Sequence, residues 1–117
     1  MIVPRTKSGV SGQQIFVPYN GKIADITHAD TDNHTLDLAA ALSETRTIIT
    51  VAVRPVRVSG TGSLKKFPNE GYYRDQGLYY DVTTWMVIKY GTNRLQYALT
   101  DANDDFDVYC FGYVVEA

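Results

Sequence analysis

Arg94-Leu95-Gln96-Tyr97-Ala98-Leu99, the acidic turn Asp101-Ala102-Asn103-Asp104-Asp105, and Phe106-Asp107-Val108-Tyr109-Cys110-Phe111-Gly112-Tyr113-Val114-Val115 together decide the fold class. In the first run Leu95, Tyr97 and Leu99 alternate with Arg94, Gln96 and Ala98, the two-residue period of a half-buried strand. The last run is apolar on both faces, with Phe106, Val108 and Cys110 on one and Tyr109, Phe111 and Tyr113 on the other. A strand reads that way when it is central in a covered sheet, or when a partner subunit covers its outer face. Tyr109, Phe111 and Tyr113 are therefore expected at an oligomer interface, since a monomer rarely leaves three rings in one exposed row.

Upstream, Leu78 to Tyr90 reads as one long strand with Tyr80, Val82, Met86, Ile88 and Tyr90 on one face, closed by a Gly91-Thr92-Asn93 hairpin loop. Thr47 to Val53 alternates, with Ile49, Val51 and Val53 on one face. Its parity flips after Arg54-Pro55, where proline permits a bulge or a break. Gly60-Thr61-Gly62 and Pro68-Asn69-Glu70-Gly71 bracket another strand. Nearer the start, Ile15-Phe16-Val17 is limited by Pro18, and Asn20-Gly21 signals a hairpin into Lys22 to Thr27. Residues 28 to 35 form a polar loop, and Ala39 to Leu42 suffices for a single helical turn. Short strands punctuated by turns predict an all-β fold: an antiparallel β-sandwich, jelly-roll-like, as one domain over residues 15–117. Residues 1–14, with Ser8-Gly9-Val10-Ser11-Gly12 at their centre, read as a short flexible N-terminal arm. The arm is either a frayed terminus or a segment ordered by a partner, with Ile2, Val3 and Val10 as its contacts.

The chain has 117 residues, 13 acidic against 11 basic, and a net charge of −2. That balance argues against a nucleic-acid or anionic-membrane binder, which would carry a basic field. No stretch matches a signal peptide or a membrane helix, so no membrane partner is expected. The single cysteine, Cys110, forms no internal disulfide, and its apolar strand suits a buried thiol rather than a nucleophile.

Catalytic chemistry has little to stand on. His28 and His34 share one polar loop, with no nucleophile motif and no third ligand at zinc-like spacing, and no glycine-rich phosphate loop is present. The chain reads as a non-enzyme without cofactors. Asp101, Asn103 and Asp105 place oxygens at alternate positions, as Ca²⁺ would need, but Phe106 and Gly112 stand where an EF-hand loop has its glycine and its glutamate. An Asx turn is the preferred reading of that segment, so no metal is expected. Tyr72, Tyr73, Arg74 and Tyr79 cluster in one loop, which serves either as a ligand or partner surface or as ring packing at a sheet margin.

Leu36-Asp37-Leu38, Arg46-Thr47-Ile48-Ile49, Val56-Arg57-Val58-Ser59-Gly60-Thr61-Gly62, Pro68-Asn69-Glu70-Gly71 and the ending Asp105 to Val114 resemble a recurrent small β-sandwich of tailed-phage virion proteins. The resemblance spans roughly residues 20 to 115 as a pattern of core and turn residues, without a catalytic signature. It implies a virion structural protein. A capsid decoration protein that binds the major capsid protein or another virion subunit as a homo-oligomer, preferably a trimer, is the first reading. A receptor- or glycan-binding module of a fibre or tail is the alternative. Either would be assembled in the host cytoplasm and located in the virion.

Overall fold

The computed structural model describes residues 13–27, 30–60, 64–67, 76–78, 81–99 and 101–117, with only the backbone of 64–67 and 76–78. Nine strands and one helical turn occur among them: β1 (Gln14–Val17), β2 (Gly21–Ile26), β3 (His34–Asp37), α1 (Leu38–Leu42), β4 (Ile48–Ser59), β5 (Leu64–Phe67), β6 (Gln76–Leu78), β7 (Thr84–Val87), β8 (Arg94–Leu99) and β9 (Asp105–Glu116). The chain is all-β and every strand pairing is antiparallel. One sheet has the order β1-β9-β4-β7, with β2 also on β9; the other has the order β3-β8-β5-β6. No described helix is long and apolar enough to cross a membrane.

The two sheets share one apolar core. β4 and β9 supply Ile48, Val51, Val53, Phe106, Val108, Cys110, Tyr113 and Val115; β8 supplies Leu95, Tyr97 and Leu99; α1 adds Leu38 and Leu42. The helical turn starts at Asp37, whose carboxylate accepts from the Ala40 N–H at 3.2 Å. It ends at Ser43, which takes the left-handed conformation usual for a helix stop. Asn93, also left-handed at φ 49°, ties the sheets together. Its Oδ1 accepts from the Ile48 N–H at 2.9 Å and its Nδ2 donates to the Arg46 carbonyl at 3.0 Å.

Several strand expectations give way to local geometry. The run from Leu78 to Tyr90 is not one strand: it ends β6 in one sheet and resumes as β7 in the other, turning at Asp81 with φ 61°. Gly91-Thr92-Asn93 likewise carries the chain from β7 to β8 across sheets and closes no hairpin. Asn20-Gly21 makes no hairpin either. The tight turn it suggests needs positive φ at both residues, and neither has it, so β1 and β2 follow one another along β9. At Pro55 there is no flip. Proline takes the inward position after Val51 and Val53, paired with Val108, and Arg57 follows on that face with its guanidinium 5.8 Å from the Phe106 ring centroid. β1 begins at Gln14 and the Gln13 carbonyl accepts from the Ala117 N–H, so the sheet reaches into the segment read as an arm.

Candidate functional site

The bulge in β9 sorts its side chains. Val53 pairs with Cys110 and Ala52 with Gly112, so Phe111 is an extra residue on β9. Before it, Phe106, Val108 and Cys110 point inward and Tyr109 outward. After it, the parity is shifted by one: Phe111 and Gly112 lie on the outer side and Tyr113 turns into the core, 4% exposed. This corrects the expected row of three rings. Tyr109 and Phe111 share the outer face, whereas Tyr113 does not, because a single inserted residue reverses every later side chain. Gly112 has φ 140° and donates its N–H to the Cys110 sulfur at 3.5 Å, which fixes the bulge from inside. Burial pushes the Cys110 thiol pKa up, as suits a packing residue.

Tyr113 ends in a buried polar knot. Its hydroxyl donates to Glu44 Oε1 at 2.9 Å; Arg46 Nη2 donates to the same oxygen at 3.0 Å; the Arg46 backbone N–H and Nε donate to Oε2 at 2.8 and 2.9 Å. Arg46, outweighing the cost of burial, holds the Glu44 carboxyl down to about 2. Burial first, and then the bond to Glu44, push the Tyr113 hydroxyl up to about 12. The knot fastens the loop after α1 to β9, with Glu44 and Tyr113 closed to water and Arg46 on its solvent side.

The outer face of the five-stranded sheet divides into two zones. At one end Phe16 of β1 and Trp85 of β7 reach toward each other over the intervening β9 and β4, with ring centroids 6.3 Å apart. Backbones three strand positions apart are separated by roughly 14 Å at the usual spacing, so the rings must lean inward over small residues. Gly112 and Ala52 are those residues, and a Cβ on Gly112 would stand 2.6 Å from Phe16 Cζ. Phe16, Trp85 and Val87 are 54, 48 and 43% exposed, while Met86 between the last two is closed to water.

Two residues further along β4 the face becomes polar. Arg54 lies opposite Tyr109, and its Nη2 donates to Asp81 Oδ1 at a long 3.4 Å. Asp25 and Asp107 are cross-strand neighbours; Lys22 bonds Asp25 at 2.9 Å and lies 3.9 Å from Asp107. The Lys22 bond lowers the Asp25 pKa, and the contact with Asp25 raises that of Asp107, the usual fate of two close carboxylates.

The acidic turn closes on itself. Asp101 Oδ1 accepts from the Asn103 N–H at 2.9 Å, an Asx turn, and Asp105 Oδ2 accepts from the Ser59 hydroxyl at 3.1 Å. Asp104 is wholly buried with neither oxygen partnered; Oδ1 is 1.7 Å from where a Cβ on Gly60 would be, so only glycine fits there. Among the described residues no three of His, Cys, Asp and Glu come together as a metal set. His34 Nε2 lies 2.7 Å from Asp30 Oδ1 and its ring stacks on Tyr97. His28, the loop residues Tyr72, Tyr73, Arg74 and Tyr79, and the arm residues Ile2, Val3 and Val10 lie outside the described residues. Sequence reasoning missed Phe16, Trp85 and Arg54, which are brought to one face from three separate strands with no local motif.

Comparison with protein families, with curated proteins and with solved structures finds no match to this chain.

Proposed function

We propose that the chain is a non-enzymatic structural protein of a virion, best read as a capsid decoration protein, and that its frame is a jelly roll. The strand orders support the frame. Counted from β2, the sheets run 2-9-4-7 and 3-8-5-6, the arrangement produced when two Greek keys fold across each other. The resemblance to tailed-phage virion domains supplies the class, as an analogy at the level of fold.

One observation carries the mode of action: Phe16, Trp85 and Val87 hold apolar surface in water on a rigid sheet, where a free-standing domain gains nothing from it. Laid on a shell subunit or on a neighbouring copy, that surface is removed from water. A modest gain per copy, repeated over a lattice, then adds up to firm attachment. The homo-oligomer, with a trimer as first choice, uses this zone together with Phe111 and Tyr109, and Tyr113 plays no part in it.

Trp85 is the only tryptophan, so the proposed face carries its own reporter. The purified chain should emit as a half-exposed indole. Emission should shift to the blue with a rise in mass on self-association, or on mixing with capsids stripped of the protein. Trp emission that stays unchanged in both settings, with a monomer mass by light scattering, would overturn the reading.

A further inference from the structure

Beside the aromatic zone the outer face of the five-stranded sheet holds a hollow of about 390 Å³, lined among the described residues by Asn20, Arg54, Val56, Asp81, Tyr109 and Phe111. Its size falls at the lower end of small-molecule sites, roughly 300–1,000 Å³. We infer that it is a saccharide-binding subsite, taking one pyranose ring of a glycan. The inference goes beyond the docking role proposed above: the ligand differs, and Asn20, Arg54, Val56 and Asp81 lie outside the docking zone, while Tyr109 and Phe111 border both.

The lining selects the ligand class. Arg54 and Asp81 bring one positive and one negative charge, so an ionic ligand of either sign would meet a like, repelling charge at short range. A neutral molecule rich in hydroxyls meets no such conflict, since each hydroxyl both donates and accepts. Such a ligand can accept from the Arg54 guanidinium, donate to the Asp81 carboxylate, and do both with the Asn20 amide and the Tyr109 hydroxyl. Val56 and Phe111 supply the remaining wall, which matches the C–H faces of a sugar ring.

The polar groups are also held ready. Arg54 Nε is closed to water and has no acceptor, and the only ion pair of this guanidinium among the described residues is the 3.4 Å contact to Asp81. A contact that long leaves both partners available to a third group. Asp81 keeps a left-handed backbone, φ 61°, fixed by its N–H donating to the Pro55 carbonyl at 2.7 Å. Arg54 and Val56 project from the central strand β4 and Tyr109 from its neighbour β9, all three at paired positions, while Phe111 is the bulged residue beside them.

The test is a titration of the ¹⁵N-labelled full chain with methyl glycosides of glucose, galactose, mannose and N-acetylglucosamine, followed by amide shifts. At least one should move the amides of Arg54, Val56, Asp81, Tyr109 and Phe111, with a Kd of roughly 1–10 mM, as a shallow site for one ring allows. Asp81→Asn, which tolerates the same backbone, and Arg54→Met should each weaken that binding about tenfold, equivalent to ~1.4 kcal/mol. Their undisturbed spectra elsewhere would show that they fold. Trp85→Ser should bind the glycoside as the parent does while losing attachment through the aromatic zone, so the two proposals fail separately. No response to any of the four glycosides, binding indifferent to both pocket variants, or a response to acetate or guanidinium ions in place of sugars would overturn the inference.

Discussion

The two faces of the five-stranded sheet are built from the same strands and obey opposite rules. Inward, Val51, Val53, Phe106, Val108 and Cys110 are shut from water, and the buried Glu44 carboxylate has both oxygens bonded, to Arg46 and Tyr113. Outward, Phe16 and Trp85 stand half exposed over two of the smallest residues in the sheet. The difference shows that large side chains alone do not mark the core here. Closure to water and satisfied polar groups do. The inner face holds the fold, and the outer face is available for contact.

If that division is right, the largest losses lie inside. Glu44→Ala leaves the Tyr113 hydroxyl and the Arg46 donors without their acceptor and should cost roughly 2–4 kcal/mol in chemical denaturation. The pH dependence follows from the same contacts. Glu44 titrates near 4.5 in the unfolded chain and at about 2 in the folded one. Its stabilisation is therefore complete above about pH 4.5 and is lost as pH falls toward 2. Glu44→Gln should flatten the melting curve against pH across that window relative to the parent. A variant as acid-sensitive as the parent would show that the knot contributes nothing to the inner face.

Gly112→Ala tests the boundary between the faces. The new methyl group would meet the Phe16 ring on the outer side, and the backbone at φ 140° resists any side chain. A loss of about 2 kcal/mol is expected. Phe16→Ala on that background should recover only the part due to the ring, because the backbone strain remains. Full recovery would mean that the bulge itself costs nothing to fill.

A third test compares two buried carboxylates. Glu44 is bonded on both oxygens; Asp104 is bonded on neither, lying against Gly60. Asp104→Asn keeps the shape and breaks no hydrogen bond, so it should change stability by under about 1 kcal/mol, whereas Glu44→Gln should lower it. Thermal melts of the two variants at neutral pH check the contrast, and an equal fall at Asp104 would remove it.

The inner face was legible from the sequence because burial in a paired strand has a period of two, which the first half of β9 keeps without interruption and β8 keeps up to the small, buried Ala98. The second half was misread at one residue. Gly112 inside an apolar strand is the signal for a bulge, but nothing in the composition says that Phe111 is the extra residue. Pro55 was read as a break for the opposite reason. A proline looks foreign to a central strand, yet here its ring fills an inward position opposite Val108. Leu78 to Tyr90 kept its alternation through a change of sheet, and the left-handed turn at Asp81 leaves no hydrophobic trace. The all-β class therefore survived errors in particular strands, since turns and alternation recur along the whole chain. The hollow could not be read in advance: its six residues come from positions 20, 54, 56, 81, 109 and 111, brought together by β4 on β9, β2 on β9 and the Asp81 N–H bond to Pro55.

The smallest effect is expected at the largest side chain. Trp85 and Met86 are adjacent in β7, and by size alone tryptophan would be the core residue. The strand turns Met86 inward to complete closure and leaves Trp85 48% exposed, touching Phe16 across Gly112 and Ala52. Truncating a closed methionine commonly costs about 2–5 kcal/mol, because contacts vanish and a void remains. Trp85→Ser opens no void, since water already reaches that ring. It forfeits only part of one aromatic contact, so the fold should lose under about 1 kcal/mol. Denaturation of this variant cannot be followed by tryptophan emission and is read by far-ultraviolet dichroism instead. A loss matching that of Met86→Ala would show that the Phe16–Trp85 pair is a second core. The outer face would then be structural, and the docking role proposed for it would fall with that result.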